Sequence, residues 1–107
     1  MNRFFEVREL LKQRSESLKS YLEFLRVPAM SAGLYVLPAG AVDPQRPHSE
    51  DELYYVVKGR ARMTVGNDER AVAAENLIFV EANQEHRFHD IIEDLAVLVF
   101  FAPAENG

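Results

Sequence analysis

The chain has 107 residues, of which 48% are hydrophobic and 27% charged, with a net charge of −5 and no cysteine. This length fits a single domain, 1–107, and the lack of cysteine excludes a disulfide framework and thiolate metal sites. The acidic balance argues against a nucleic-acid partner, and the apolar runs are too short to cross a membrane. Because the first residues also lack the apolar core of a signal peptide, we expect a cytoplasmic protein.

The first predicted element is an amphipathic helix within a helical N-terminal extension, 1–19. Apolar residues recur at helical spacing along residues 4–18, beginning with Phe4, Val7 and Leu10. An amphipathic helix needs a surface on which to bury its apolar side. We expect it to cover one end or face of the domain, with contact to a second subunit as the alternative.

The body of the domain, 20–102, is predicted to be all-β and to be followed by a tail, 103–107. About eight short runs of branched and aromatic residues are bounded by Gly, Asn or acidic residues, and "GNDE" at 66–69 predicts a hairpin turn. This spacing favours a β-sandwich or barrel. The last run, 95–101, is apolar on both faces, so something must cover it outside the barrel. Candidates for that outer layer are Leu22, Phe24, Val99 and Phe101.

Two histidines and a glutamate form the candidate site. His48 and Glu52 are four residues apart, and side chains of equal parity on a strand share one face, so both are predicted to point inward. His86 begins another run of strand-forming residues. Two imidazoles and one carboxylate are the ligands of a 2-His-1-carboxylate metal site.

Three other polar residues near this group are predicted to lie outside the site. His89 has the opposite parity to His86 and should face outward. Glu50 and Asp51 are predicted to be solvent-exposed turn acids.

The stretch "GAVDPQRPHSEDELYYVVKG", residues 40–59, resembles the first motif of the cupin family. That motif is a glycine, five residues, His-x-His, three or four residues, a glutamate, six residues and a glycine, and every spacing matches. The stretch "ENLIFVEANQEHRFHD", residues 75–90, keeps the spacing of the second motif. In place of its usual Gly, Pro, Gly, His and Asn, the chain has Glu75, Glu81, Asn83, His86 and Asp90. The resemblance covers residues 31–102 and implies a double-stranded β-helix, that is, a jelly-roll β-barrel.

The resemblance also implies a divalent metal ion, with Fe, Mn, Zn and Ni as candidates, held by His48, Glu52 and His86. Arg46 stands where the family has its first histidine, and arginine cannot coordinate a cation because it stays protonated. Three alternatives follow. The three remaining residues bind metal together with water, or Gln45 or Asp43 supplies a fourth ligand. In the third, the site is metal-free and Arg46 turns inward against Glu52 to bind an anionic small molecule.

Aromatic residues are predicted to line a pocket around the site. Together with Arg46, the pocket residues are Tyr35, Tyr54, Phe79 and Phe88. Bound iron favours dioxygenase chemistry on a small molecule, whereas manganese or zinc favours isomerase or lyase chemistry. A non-catalytic ligand-binding or sensor cupin is the alternative function. We expect a homodimer.

Overall fold

An antiparallel sheet carries most of the chain. The computed structural model describes residues 1–17 and 19–106. Within these ranges the elements are helix α1 (Val7–Ser15) and strands β1 (Tyr21–Val27), β2 (Met30–Leu37), β3 (Asp51–Val65), β4 (Asp68–Ala73), β5 (Leu77–Val80) and β6 (His86–Ala102). The strand order is β1-β2-β6-β3-β4, and β5 pairs with β3. The predicted all-β class with an N-terminal helix is confirmed.

Helix α1 is shorter than predicted and packs on the outer face of the sheet. It has nine residues, and Leu18, the predicted last residue, lies outside the described part of the chain. Its buried residue, Leu10, packs with Leu34 of β2 and Ala96 of β6. Covering one face of the sheet is the role expected from the amphipathic pattern. In the ranges that the structure describes, no helix has the length and apolar character needed to cross a bilayer.

Two residues predicted for the outer layer lie inside the barrel instead. Val99 and Phe101 are buried in the interior cluster, so their placement outside is wrong. Val99 lies opposite Tyr54 in the β3–β6 register, and Phe101 lies opposite Glu52. Directly opposed residues share one face of a sheet. Because Glu52 and Tyr54 point inward, their partners on β6 do so as well.

Strands β3 and β6 are much longer than predicted, because each of them joins two runs that the sequence predicts as separate strands. β3 continues through Gly59, which has a φ of 100°, and β6 continues through Asp90, which has a φ of 48°. The β3–β6 register shifts between Val56 and Arg62. Such irregularities bend a strand without ending it. Gly59 and Asp90, at which the sequence predicts the end of a strand, therefore lie at bends within longer strands.

The bends close the sheet into a barrel. His86 lies opposite Val65 at the end of β3, whereas Glu52 lies near its start. A straight strand would separate these two ends of β3 by roughly 40 Å. The His86 and Glu52 side chains nevertheless approach within 3.2 Å. β3 therefore curls back on itself, and residues from both of its ends face one interior.

Replacing Gly59 by alanine is expected to destabilise the protein by more than about 2 kcal/mol. A Cβ here would meet the backbone of Asp94 and Leu95, in a φ region that L side chains rarely adopt. Gly40 is a matched control, because its φ is 80° but nothing lies within 4 Å of such a Cβ. Its replacement should cost about 1 kcal/mol. Urea unfolding measures both costs, and equal values would contradict the importance of the backbone contact.

Candidate metal centre

Three side chains from separate parts of the chain meet inside the barrel. His48 lies in the segment before β3, Glu52 is the second residue of β3, and His86 is the first residue of β6. One ligand atom from each lies within 4.8 Å of the other two. The structure thus brings together the three residues that the sequence indicates as metal ligands.

Polar atoms at this centre are buried without hydrogen-bond partners. The side chains of Glu52 and His86 are each 1% exposed. Glu52 Oε1 and His86 Nε2 lie 3.2 Å apart, yet neither of them nor Glu52 Oε2 makes a hydrogen bond. Buried polar atoms are nearly always satisfied, and a bound cation is one way to satisfy them. Because imidazole and carboxylate groups suit divalent transition metals, this group could hold such an ion.

In each imidazole Nδ1 faces an oxygen atom on the far side of the ring, and Nε2 lies toward the centre. His86 Nδ1 lies 2.9 Å from the backbone carbonyl oxygen of Gln84. His48 Nδ1 lies 2.9 Å from Glu105 Oε2. The Gln84 carbonyl oxygen can only accept, so Nδ1 carries the proton in His86. Metal-binding histidines are commonly oriented by a carboxylate or carbonyl partner of this kind.

Gln45 is held beside the centre by a buried aspartate. Gln45 Nε2 donates to Asp43 Oδ2 at 2.7 Å. Its amide oxygen therefore points to the other side, 3.5 Å from His48 Nε2, where it also accepts the Tyr54 hydroxyl at 2.8 Å. The oxygen is placed where it could serve as the fourth ligand that the sequence leaves open.

Asp43, the other alternative for a fourth ligand, is engaged in further hydrogen bonds. Its carboxylate accepts the Tyr35 hydroxyl at 2.7 Å and the Phe88 backbone N–H at 2.9 Å. Burial, together with this carboxylate, raises the pKa of the Tyr35 phenol. Asp43 thus ties the segment that carries His48 to β2 and β6, and it orders the site.

Burial and acidic neighbours shift the proton equilibria at the centre. Burial lowers the pKa of His86, but the Glu52 carboxylate and a backbone carbonyl oxygen outweigh it, so the net pKa is raised. Burial raises the pKa of Tyr54 well above its usual range, and the charge of Glu52 acts in the same direction. Tyr54 is therefore a neutral hydrogen-bond donor. Burial also raises the pKa of Glu105, although the neighbouring histidine acts in the opposite direction.

A cavity of about 280 Å³ opens beside the centre. Its lining includes Tyr21, Tyr35, His48, Glu52, Val99, Phe101 and Glu105. The hydroxyl of Tyr21 is buried without a hydrogen-bond partner, and burial raises the pKa of this phenol. Its ring occupies the space that a Cβ on Gly33 would fill. The walls of the cavity thus include Tyr21, whose hydroxyl is unpartnered, and two of the candidate metal ligands, His48 and Glu52.

The other residues predicted for the pocket occupy different places. Tyr54 and Phe88 are fully buried next to the centre, with their ring centres 5.1 Å apart. Phe79 is 57% exposed and lies on the outer face of β5. Arg46 is exposed and lines a separate depression. It does not pair with Glu52, whose carboxylate oxygens make no hydrogen bond.

Of the two predicted turn acids, one is buried. Glu50 is 5% exposed, so its prediction as a solvent-exposed acid is wrong. The C-terminal residues cover it, and its carboxylate accepts the backbone N–H of Asn106 at 3.2 Å. Asp51 is exposed, as predicted. His89 lies away from the centre, 2.7 Å from the Thr64 hydroxyl.

The sequence does not single out two residues that line the cavity. Tyr21 is one of several aromatic residues near strand ends, and no spacing distinguishes it. Glu105 follows the last strand, in the predicted tail. Its contact with His48 depends on how the chain returns over the barrel, which local sequence patterns do not report.

The match to a protein family covers most of the barrel. A family model for the cupin domain matches residues 33–101, which is more than half of the chain. The protein belongs to the cupin family. The matched region of this cupin includes the whole of the first motif, 40–59, and the whole of the second, 75–90.

Individual relatives of this cupin share its length or its fold. An uncharacterised protein of Streptomyces coelicolor is 48% identical over 102 residues, covering 95% of this chain and 97% of that protein. A solved structure from Thermus thermophilus is 22% identical with a TM-score of 0.73, covering 94% and 97% of the two chains. The DMSP lyase DddQ of Ruegeria pomeroyi is 16% identical with a TM-score of 0.69, covering 82% of this chain and 49% of that one. The predicted jelly-roll fold is confirmed.

Proposed function

We propose that this cupin is a metal-dependent enzyme acting on a small molecule bound in the cavity beside the centre. The unpartnered buried atoms of Glu52 and His86 carry the proposal. An unpaired carboxylate in the interior lowers the stability of a fold, and a bound cation would offset that loss. An adjoining cavity with apolar walls and a few polar groups is typical of a small-molecule site.

The protein groups have separate roles in this proposal. His48, Glu52 and His86 would hold the ion, with Gln45 as the candidate fourth ligand. When bound, the ion would supply Lewis-acid polarisation of a substrate oxygen or, if it is iron, redox chemistry with dioxygen. The Tyr21 hydroxyl would donate a hydrogen bond to the substrate, and Val99 and Phe101 would exclude water from its apolar part. The proposed activity is therefore a small-molecule oxygenase or a related isomerase or lyase reaction.

Metal analysis tests this proposal directly. Protein purified without a histidine tag, reconstituted with Fe²⁺, Mn²⁺, Zn²⁺ or Ni²⁺ and then dialysed, should retain about one ion per chain. His86→Ala should lose it. His89→Ala is the matched control, because His89 lies on a different side of β6 and contacts Thr64. A protein that retains no metal after reconstitution with any of these ions would overturn the metalloenzyme proposal.

A second candidate function is the binding of an anionic small molecule without catalysis. Arg46 and Arg87 both line a depression of about 350 Å³, which His86 and Thr64 also border. Two guanidinium groups suit a carboxylate or phosphate. Calorimetric titration with inorganic phosphate and with succinate tests it. Binding that is lost in Arg46→Ala but kept in Arg60→Ala would support this function, and no binding would refute it for these two anions.

We further propose that the protein forms a homodimer through the outer face of β3 and β5. Leu53 and Phe79 are directly opposed in the register, and they are 38% and 57% exposed. Leu77, on the same face of β5, is 64% exposed. Adjacent exposed apolar side chains are typical of an interface. Sedimentation of wild-type protein and of Phe79→Ser tests this, and a monomeric wild type would exclude the dimer.

A further inference from the structure

The residues after β6 are fastened across the rim of the cavity. The backbone N–H of Glu105 donates to Ser31 Oγ at 2.9 Å, and its carbonyl oxygen accepts from Arg26 Nη2 at 2.6 Å. The backbone N–H of Asn106 donates to Glu50 at 3.2 Å. Ser31 and Glu50 are themselves buried, which fixes the two side-chain anchors. The backbone around Glu105 is therefore held in place independently of its side chain.

The side chain of Glu105 uses this fixed backbone to reach His48. Its Oε2 lies 2.9 Å from His48 Nδ1, and both side chains are 21% exposed. On the other side of the ring, Nε2 lies 3.5 Å from the Gln45 amide oxygen, so two oxygens compete for the ring proton, and the shorter contact, to the Glu105 carboxylate, favours Nδ1. Further contacts fix the position of His48. Its backbone carbonyl oxygen accepts from Asn83 at 2.6 Å, and its ring lies edge-on to Phe101 with centres 5.0 Å apart.

We propose that Glu105 is a positioning residue for the metal centre, acting through His48. Its carboxylate keeps the proton on Nδ1 and directs Nε2 of the imidazole toward Glu52 and His86. This inference rests on the proposed metal site and assigns it a partner outside the three ligands. His86 receives the equivalent support from a backbone carbonyl oxygen, so the two histidines are oriented by different means.

The backbone hydrogen bonds of the tail also explain why the Glu105 side chain should affect the affinity for metal but not the stability of the fold. The carboxylate makes its contact at the rim, where part of the side chain is in solvent. The tail remains attached through backbone atoms when the carboxylate is removed. Orienting partners of metal-bound histidines typically change metal affinity by about 10- to 100-fold. A change in affinity without a comparable change in stability is therefore expected.

Titration with Co²⁺, followed by visible absorption, tests the role of Glu105. Glu105→Ala should weaken Co²⁺ binding by about 10- to 100-fold. Glu105→Gln keeps an oxygen that can accept from Nδ1 and should restore binding to within about threefold of wild type. Glu93→Ala is the matched control, because Glu93 is 58% exposed and pairs only with Arg60. Its affinity should equal that of wild type.

The outcomes separate this inference from the proposed function. If wild type binds Co²⁺ and Glu105→Ala binds it equally well, Glu105 does not position His48. If Glu105→Gln binds Co²⁺ as weakly as Glu105→Ala, contact between an accepting side-chain oxygen and Nδ1 is not the cause, and the inference is also overturned. A wild type that binds none of the metals overturns the proposed function itself. Ser31→Ala should weaken binding less than Glu105→Ala, because it releases one backbone anchor and keeps the carboxylate.

Discussion

Glu52→Gln is expected to weaken divalent-metal binding by more than about 100-fold, since losing even an outer partner of a ligand costs about 10- to 100-fold. The substitution keeps the size of the side chain and removes the negative charge that would partly neutralise a divalent ion. Glu52 supplies the carboxylate of the three-residue group and lies beside His86, whereas the nearby Asp43 carboxylate is engaged in its own hydrogen bonds. Calorimetric titration with Mn²⁺ or Zn²⁺ measures the loss.

Glu69→Gln is a suitable control for that measurement. Glu69 is also a strand glutamate, but its carboxylate pairs with Arg62 at 2.7 Å on the outer surface. We expect its metal affinity to be that of wild type. An equal loss in both variants would indicate non-specific binding to acidic side chains, and an unchanged affinity in Glu52→Gln would exclude this glutamate as a ligand.

Glu52→Met is expected to stabilise the metal-free protein by about 1–3 kcal/mol at pH 8.5. Glu52 is 2% exposed, and neither of its carboxylate oxygens makes a hydrogen bond. In metal-free protein at this pH the negative charge has no partner in the interior. A thioether of similar length removes the unpaired charge and packs against Tyr54 and Phe101. The residue most important for holding metal should thus be unfavourable for the stability of the empty fold.

The gain in stability from Glu52→Met should be smaller at pH 6, because a larger fraction of His86 is then protonated in the wild-type protein. The pKa of His86 is raised in the folded protein, mainly by Glu52 acting against the effect of burial. A group with a raised folded-state pKa contributes stability below its unfolded pKa, about 6.5, and loses it as pH rises through the folded value. In wild type, protonated His86 therefore offsets the charge of Glu52 to a greater extent at pH 6 than at pH 8.5. In Glu52→Met the raising effect of Glu52 is gone while burial still lowers the His86 pKa, so this contribution is reduced.

Urea unfolding in the presence of EDTA at the two pH values measures both effects. His86→Gln should flatten the pH dependence of the wild-type stability between pH 6 and 8.5. A Glu52→Met variant less stable than wild type at pH 8.5 would show that the carboxylate is satisfied in the metal-free protein. If Glu52→Met stabilises the protein more at pH 6 than at pH 8.5, the raised pKa of His86 is contradicted.

The sequence predicts the ligands well because their positions follow from strand alternation and motif spacing. Glu52 and Tyr54 lie inside because they alternate with Leu53, and the spacing between glycines 40 and 59 marks the segment that carries His48. Alternation alone does not tell which face of a strand lies inside when both faces are apolar. The last run, 95–101, is apolar on both faces, so its sequence does not show that Val99 and Phe101 point inward.

What the sequence cannot predict depends on contacts between distant parts of the chain. Arg46 stands at a ligand position in the motif, yet its side chain is exposed, because prolines on either side of Gln45 and Arg46 interrupt the strand pattern. The local sequence of Glu50 is typical of a solvent-exposed turn, but the C-terminal residues bury this side chain. Such placements are set by the closure of the barrel and not by local spacing.

The contact between Tyr21 and Gly33 makes the size of the cavity depend on one small residue. Because the ring of Tyr21 lies over Gly33, any larger residue at position 33 would displace the ring and move its hydroxyl. The cavity could then be reshaped by a change on β2 that touches neither the candidate metal ligands nor the bound molecule. Position 33 is therefore a natural first choice for altering which ligands fit, both in engineered variants and in comparing related cupins.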